Sequence, residues 1–404
     1  MLLKLAFRNT LRQKRRTIFT LLTMFGGFTL ASISIGWSDG SYSRIINMFT
    51  RNRLGHIQIH AQGYLDKPSL YKTIDNYQAI GRKIESIPGV LTWTPRFLAA
   101  GLASLGNKTS AVQIVGIDPL RENEATYFNK KIFKGRSFSS QPAHEAILGK
   151  GLAEVLQAKV GDEIIIVSQA ADGSIANDIF RVVGLADSGN QMADRTAFYL
   201  HLTEAQELFV QPGKIHEIAI IVNKLSHVGK ITKKTTKILA DNSLDVQPWQ
   251  EFAKSFYQAM KADVEGMWVM LLVILLIVAV GVLNTVLMSI LERTREYGVL
   301  KALGTRPHYI FWQIVLEVNL MALASIILGS GLSLIINHLL SIHGIQLPAS
   351  FTYGGIEFKA LYSAITARSL YIPAITVVLS ATVVSLFPAL RAARISPAKA
   401  MRIH

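Results

Sequence analysis

The sequence predicts an α-helical membrane domain of four transmembrane helices, with a large α+β extracytoplasmic domain inserted between helices 1 and 2. Three observations lead there. Half of the 404 residues are hydrophobic and the mean hydropathy is +0.32, a balance that points to a membrane protein. That surplus sits in four apolar runs, residues 17–37, 266–290, 310–340 and 369–390, each reaching the roughly 20 residues that a helix needs to cross a bilayer. Basic residues cluster beside these runs on one side only. Lys4, Arg8, Arg12, Lys14, Arg15 and Arg16 precede the first run; Arg293, Arg295, Lys301 and Arg306 separate the second from the third; Arg391, Arg394, Lys399 and Arg402 follow the fourth. Positive residues mark the cytoplasmic face, so one threading puts both termini and residues 291–309 inside, and residues 38–265 and 341–368 outside.

The formal net charge of +15 would suit a nucleic-acid partner, but its location excludes one. Residues 38–265 hold 26 Lys and Arg against 23 Asp and Glu, so the excess is topological and no basic groove with interleaved aromatics is left over. Cysteine is absent, and the external domain must therefore hold together by its own core. Its 228 residues are enough for that.

In chain order, residues 1–16 read as a cytoplasmic interfacial helix, with Leu3, Phe7 and Leu11 on one stripe and Lys4, Arg8 and Arg12 on the next, charges in the headgroups. The following run is too long for a signal peptide and has a poor cleavage site, so it reads as a retained anchor. Residues 38–265 alternate short strand and helix signals. Residues 54–61 set Ile57 and Ile59 against His56, Gln58 and His60, the pattern of a half-buried strand with its histidines towards solvent. A helix over 77–87 ends at Pro88-Gly89, and Gly106-Asn107 reads as a hairpin turn between strands 97–104 and 109–117. Strands follow at 146–148, 163–167 and 180–185, with Asp172-Gly173 reversing the last pair; Thr203 with Gln206 makes a capping-box pattern for a helix over 204–209. Strand 217–222, a basic amphipathic helix over 228–239 and a helix over 249–262 running straight into the second span complete the domain.

Residues 292–304 are the stretch on which function turns. If helical, Glu292, Arg293, Arg295, Glu296 and Lys301 make a charged side beside Tyr297, Val299, Leu300 and Leu303, which is what a docking helix needs. The words Glu292-Arg293-Thr294-Arg295-Glu296-Tyr297-Gly298 and Lys301-Ala302-Leu303-Gly304 resemble the FtsX-like permease family of ABC transporters. That resemblance implies that Glu292, Arg293, Arg295, Glu296, Tyr297, Gly298, Lys301 and Gly304 belong to a coupling helix seated on a cytoplasmic ATPase. Anchoring of two spans to the lipid surface is the plainer alternative. The external region resembles the MacB-type periplasmic core domain, above all that of the LolC and LolE lipoprotein-releasing permeases. The words that carry it are Gly55-His56-Ile57-Gln58-Ile59-His60, Ile147-Leu148-Gly149-Lys150-Gly151-Leu152-Ala153 and Lys159-Val160-Gly161-Asp162. The tail, with Arg391 and Arg394 three apart and Pro397 beyond, also looks like the family's ending, and Arg15, Arg16, Arg391 and Arg394 read as cytoplasmic anchors.

No phosphate-binding loop occurs, so the ATPase, with its ATP and magnesium, is expected on a separate partner chain and this chain binds no cofactor. No catalytic motif appears, and His56 with His60 lacks the further ligands of a metal site. Glu317 is the one carboxylate inside a span; it either reaches the headgroups, bonds another helix or couples protons. Ser325, Gly329 and Ser333 recur every four residues as a smooth packing face, for a second permease or for a neighbouring span. The resemblance implies a bacterial inner-membrane permease working as a homodimer or with a sister permease, beside an ATPase dimer. Its expected action is mechanical, extracting lipoproteins from the membrane for a periplasmic carrier. The alternatives are MacB-like export of another amphiphile, peptide or drug, and FtsX-like regulation of a cell-wall hydrolase, against which the size of the insertion counts.

Overall fold

The computed structural model describes residues 2–12, 14–139, 141–353 and 356–397. Lys399, Arg402 and the side chains of Leu3, Lys4 and Leu11 lie outside those described. The chain divides into two units, one of residues 1–43, 260–347 and 360–404, the other of 44–259 and 348–359.

The first unit contains four helices long and apolar enough to cross a membrane: Lys14–Phe49, Lys254–Glu292, Pro307–His343 and Ala367–Ala393. The first helix begins before the predicted span and continues twelve residues past Trp37. Ser38, Asp39 and Gly40 read locally as breakers, but tertiary bonds overrule that preference. Asp39 accepts from Thr366 Oγ1 at 2.7 Å and from Arg368 Nη1 at 3.4 Å, while Ala364 N donates to Gly36 O at 2.8 Å. The helices meet around Met24, Phe28, Val282, Ile314, Val318 and Ala381. The smooth face of the third helix turns towards the first: Ser325 Oγ donates to Leu21 O at 3.1 Å, and a Cβ at Gly329 would sit 2.6 Å from Phe28 Cδ1. Ser325, Gly329 and Ser333 are thus buried within this chain, and close helix approach is their work here. Residues 341–368, read as a loop, include two paired strands, Ile345–Tyr353 and Ile356–Leu361.

The second unit, of residues 44–259 and 348–359 rather than the expected 38–265 alone, is a mixed α+β domain around a ten-stranded sheet. Its strands are β1 Ile57–Ala61, β2 Val90–Leu105, β3 Lys108–Ile117, β4 Ile132–Gly135, β5 Glu145–Gly149, β6 Glu163–Gln169, β7 Ile175–Ala186, β8 Ala197–His201, β9 Glu217–Val222 and β10 Leu244–Pro248. The order is β10-β1-β9-β2-β3-β8-β5-β7-β4, with β6 paired to β2 and β7. The β2–β3 hairpin turns at Gly106-Asn107 in the expected register. Two parallel pairs, β3–β8 and β5–β7, make the sheet mixed.

Three local expectations are corrected. Strand β1 is buried on both faces rather than half-buried, and His56 and His60 are 2% and 1% exposed. β1 lies between β9 and β10, and its polar side chains bond inward: Val222 N donates to His56 Nδ1 at 3.0 Å, and His60 bonds His216 O at 2.9 Å and Gln58 Oε1 at 3.0 Å. Helix Leu202–Leu208 starts two residues earlier than expected, with His201 rather than Thr203 at its cap. The helix at Trp249 lasts only to Phe252, and the backbone leaves helical geometry at Ala253 before Lys254–Glu292 begins. Among the described residues no group of three His, Asp or Glu is placed to hold a metal.

The domain's interior also buries Arg96 between two carboxylates, bonding Glu122 at 2.7 Å and Glu217 at 2.8 Å. Breaking such a group leaves uncompensated charge in a low dielectric. Burial also lowers the pKa of His56 and of His216 to about 4. Both are therefore neutral in the fold and take a proton more readily once unfolded. Their contribution to stability is complete above about pH 6.5 and is lost as the pH falls towards 4, on the order of 3 kcal/mol for each histidine. Thermal unfolding followed by Trp fluorescence is expected to show a falling Tm over that interval, with a shallower slope in a His56→Asn/His216→Asn variant.

Candidate functional site

The chain between the second and third apolar helices folds as a separate short helix, Thr294–Ala302. Arg293 lies at its start with non-helical backbone, and Gly304 just past its end takes φ of 90°, a conformation that side chains with a Cβ resist. One face of this helix is buried. Tyr297 is 1% exposed and Gly298 is buried beside it, so neither belongs to an open surface. Burial raises the Tyr297 hydroxyl pKa well above that of a free phenol.

Arg293 turns inward rather than outward. Its guanidinium donates to Glu317 at 3.1 and 3.3 Å and to Glu296 at 3.1 Å. Glu317 also accepts from Asn9 Nδ2 at 2.7 Å and from Gln313 Nε2 at 3.3 Å. Interhelical bonding is thus the outcome for this carboxylate, and the headgroup reading is set aside: at 8% exposure it is satisfied by three donors. Lys301 is committed too. Its Nζ donates to Ala393 O at 2.9 Å and Ile395 O at 2.7 Å, which satisfies carbonyls at the end of the last helix, where a cation is favoured.

The N-terminal helix Leu2–Arg12 joins this assembly, a role that its headgroup reading did not foresee. Arg12 pairs with Glu296 at 3.5 Å, and Arg16, at the start of the first long helix, forms an ion pair with Glu292. Arg15, Arg391 and Arg394 are exposed. The result is a short helix with one face tied to the third and fourth long helices and to the N-terminal helix, and one face open. Exposed on that open face are Arg295, Glu296, Val299, Leu300, Leu303 and Gly304, charged and apolar groups interleaved. Leu303 is 80% exposed. Such a face can fit a groove of a partner protein.

Of the eight residues expected to couple, the structure therefore leaves Arg295 and Gly304 outward, while Glu296 is exposed but ion-paired with Arg293 and Arg12. Glu292 is exposed yet ion-paired, and Arg293, Tyr297, Gly298 and Lys301 are turned inward or engaged. Leu303 was named only as part of the apolar side, and Asn9 was missed because its partner lies 308 residues away.

The model for the FtsX-like permease C-terminal region matches residues 268–397, and that for the MacB-like periplasmic core domain matches residues 17–238. The chain is 24% identical over 314 residues to the lipoprotein-releasing system transmembrane protein LolC of Neisseria meningitidis serogroup B, covering 74% of this chain and 72% of that one. It is 22% identical over 353 residues to the macrolide export ATP-binding/permease protein MacB 2 of Aeromonas hydrophila, covering 84% of this chain and 53% of the relative. The chain thus spans about half the length of that fused protein. The solved periplasmic region of MacB from Actinobacillus actinomycetemcomitans aligns at 14% identity over 50% of this chain and 92% of its own, with a TM-score of 0.37.

Replacing Glu317 by Leu leaves Arg293 buried without its main counter-charge. The expected loss is roughly 3–5 kcal/mol of stability, read as a lower Tm in detergent, with much of it recovered in the Arg293→Leu/Glu317→Leu double variant.

Proposed function

The chain belongs to the family of ABC transporter permeases that join an FtsX-like membrane region to a MacB-like periplasmic core domain, and from that premise we propose that it transmits ATP-driven motion across the bacterial inner membrane to its sheet domain. Permeases of this family work in pairs with an ATPase. On our reading the ATPase, carrying ATP and magnesium, is a separate chain that seats on the open face of Thr294–Ala302. Both termini and this helix face the cytoplasm, and the sheet domain faces the periplasm, as the basic clusters direct. Closure of the ATPase on ATP pushes the short helix. The second span, continuous from Lys254 to Glu292, carries the movement outward.

The observation that carries this reading is the division of the short helix into a tied face and a free one. A loop that merely anchors two spans to lipid has no need to bury Tyr297 and Arg293 while holding Leu303 in the open. For cargo we take lipid-modified proteins handed to a periplasmic carrier, supported by the likeness to LolC along three quarters of this chain. Export of another amphiphile, peptide or drug is the second reading, supported by the likeness to MacB. Whether the paired permease is identical or a sister chain is left open by both.

Two experiments separate these statements. Arg295→Glu with Leu303→Glu is expected to abolish co-purification of the ATPase while leaving the Tm of the permease unchanged; retained co-purification overturns the docking face. Depleting the chain from spheroplasts supplied with purified carrier is expected to stop lipoprotein release, scored by mass spectrometry. Unchanged release discards that cargo in favour of export.

A further inference from the structure

The first span is joined to the last residue of the second, where the coupling loop begins, and the joint is a charged one. Arg16 lies at the start of helix Lys14–Phe49 and pairs with Glu292, the last residue of helix Lys254–Glu292. Its side chain is 23% exposed, so solvent screens the pair only partly. Above this pair the two helices touch closely. A Cβ at Gly281 would sit 2.8 Å from Thr23 Cγ2, and Gly27 faces Val278 with no room for a side chain. Below it, Asn9 reaches Glu317 and Arg12 reaches Glu296.

Arg16 also borders a cavity of about 40 Å³ whose walls mix polar and apolar residues, among them Thr20, Ser289, Glu317, Ile290, Ile314 and Met321. Its Nη1 is buried and hydrogen-bonds no protein group. A cavity of that size has room for a water molecule beside that nitrogen. The guanidinium therefore is not packed in on every side, and the pair can follow a moving helix over a short distance. The same carboxylate ends the second span and borders the short helix, so displacement of that helix is passed to Glu292 through the intervening backbone.

Resting on the coupling reading above, we infer that Arg16 is a positioning residue through which displacement of the Thr294–Ala302 helix is delivered to the first span, so that the first and second spans move as a pair. Loss of the charge would leave the second span driven and the first one slack. The residue acts through Glu292 and touches neither ATP nor cargo.

The absence of cysteine makes the test direct, since one introduced thiol is the only thiol. The full chain is purified with its ATPase in lipid nanodiscs, carrying either Trp37→Cys at the outer part of the first span or Trp268→Cys at that of the second. The labelling rate with a membrane-impermeant maleimide is compared with and without ATP–vanadate trapping. In the otherwise unchanged chain both thiols are expected to change rate on trapping. In Arg16→Gln and in Arg16→Met, side chains of similar reach without charge, the Trp37→Cys response is expected to fall about tenfold while Trp268→Cys keeps its response. Arg16→Lys, which keeps the charge, is expected to retain both.

A retained Trp37→Cys response in the uncharged variants overturns the inference, as does an equal loss in Arg16→Lys. Loss of both responses together in Arg16→Gln and Arg16→Met also overturns it, because Arg16 would then support the whole membrane domain. If neither thiol responds in the unchanged chain, the coupling reading itself fails and takes the inference with it.

Discussion

A carboxylate buried among membrane helices is costly unless its charge is met, and the arrangement of the membrane unit follows from how Glu317 is met. Its partners come from three places in the sequence: Asn9 ahead of the first long helix, Arg293 at the break after the second, and Gln313 one turn back on its own helix. Satisfying one charge therefore gathers the N-terminal helix, the short loop helix and the third span at one level. Arg293 cannot at the same time point to a partner protein. The loop helix is left with an inner face that is fully occupied and an outer face that is not, and this division makes it a candidate lever.

Lys301 completes that arrangement from the other end. By capping carbonyls at Ala393 and Ile395, it joins the loop helix to the last span, so the helix is held at its start by Arg293 and near its end by Lys301. Between these two points lies Tyr297, buried against the bundle. Rigid attachment of this sort suits a part that must move its neighbours without first deforming itself.

Much of this was legible in the sequence. Four apolar runs, the basic clusters between them and the words around 292–304 are local signals, and the helices and the loop helix follow from them. The hairpin at Gly106-Asn107 was legible for the same reason. What escaped was set by partners far along the chain. The helix runs on through Asp39 with Thr366 bonded to that carboxylate and Ala364 to Gly36 O, and no window of neighbouring residues contains that fact. His56 and His60 alternate with Ile57 and Ile59 as if one face met water, yet both faces are covered because β1 is an interior strand. Alternation distinguishes two faces; it does not say that either is wet. The docking set of residues was chosen by type, and type alone cannot tell that Arg293 and Lys301 are spent on internal bonds while Arg295 is free to face outward.

The pairing of β1 with β10 carries a mechanical meaning. The chain passes from the first long helix into β1 and from β10 towards the second, and Ile57 lies opposite Pro248, so both connections attach at the same end of one antiparallel pair. Trp249 N bonds His56 O beside them at 3.0 Å. A force that draws the two connections apart sideways would break that ladder one hydrogen bond at a time, like opening a zipper, which is the weak direction of such a pair. A force that leaves them side by side does not part the strands in this way. The pair therefore tolerates shared load on its two connections better than their separation.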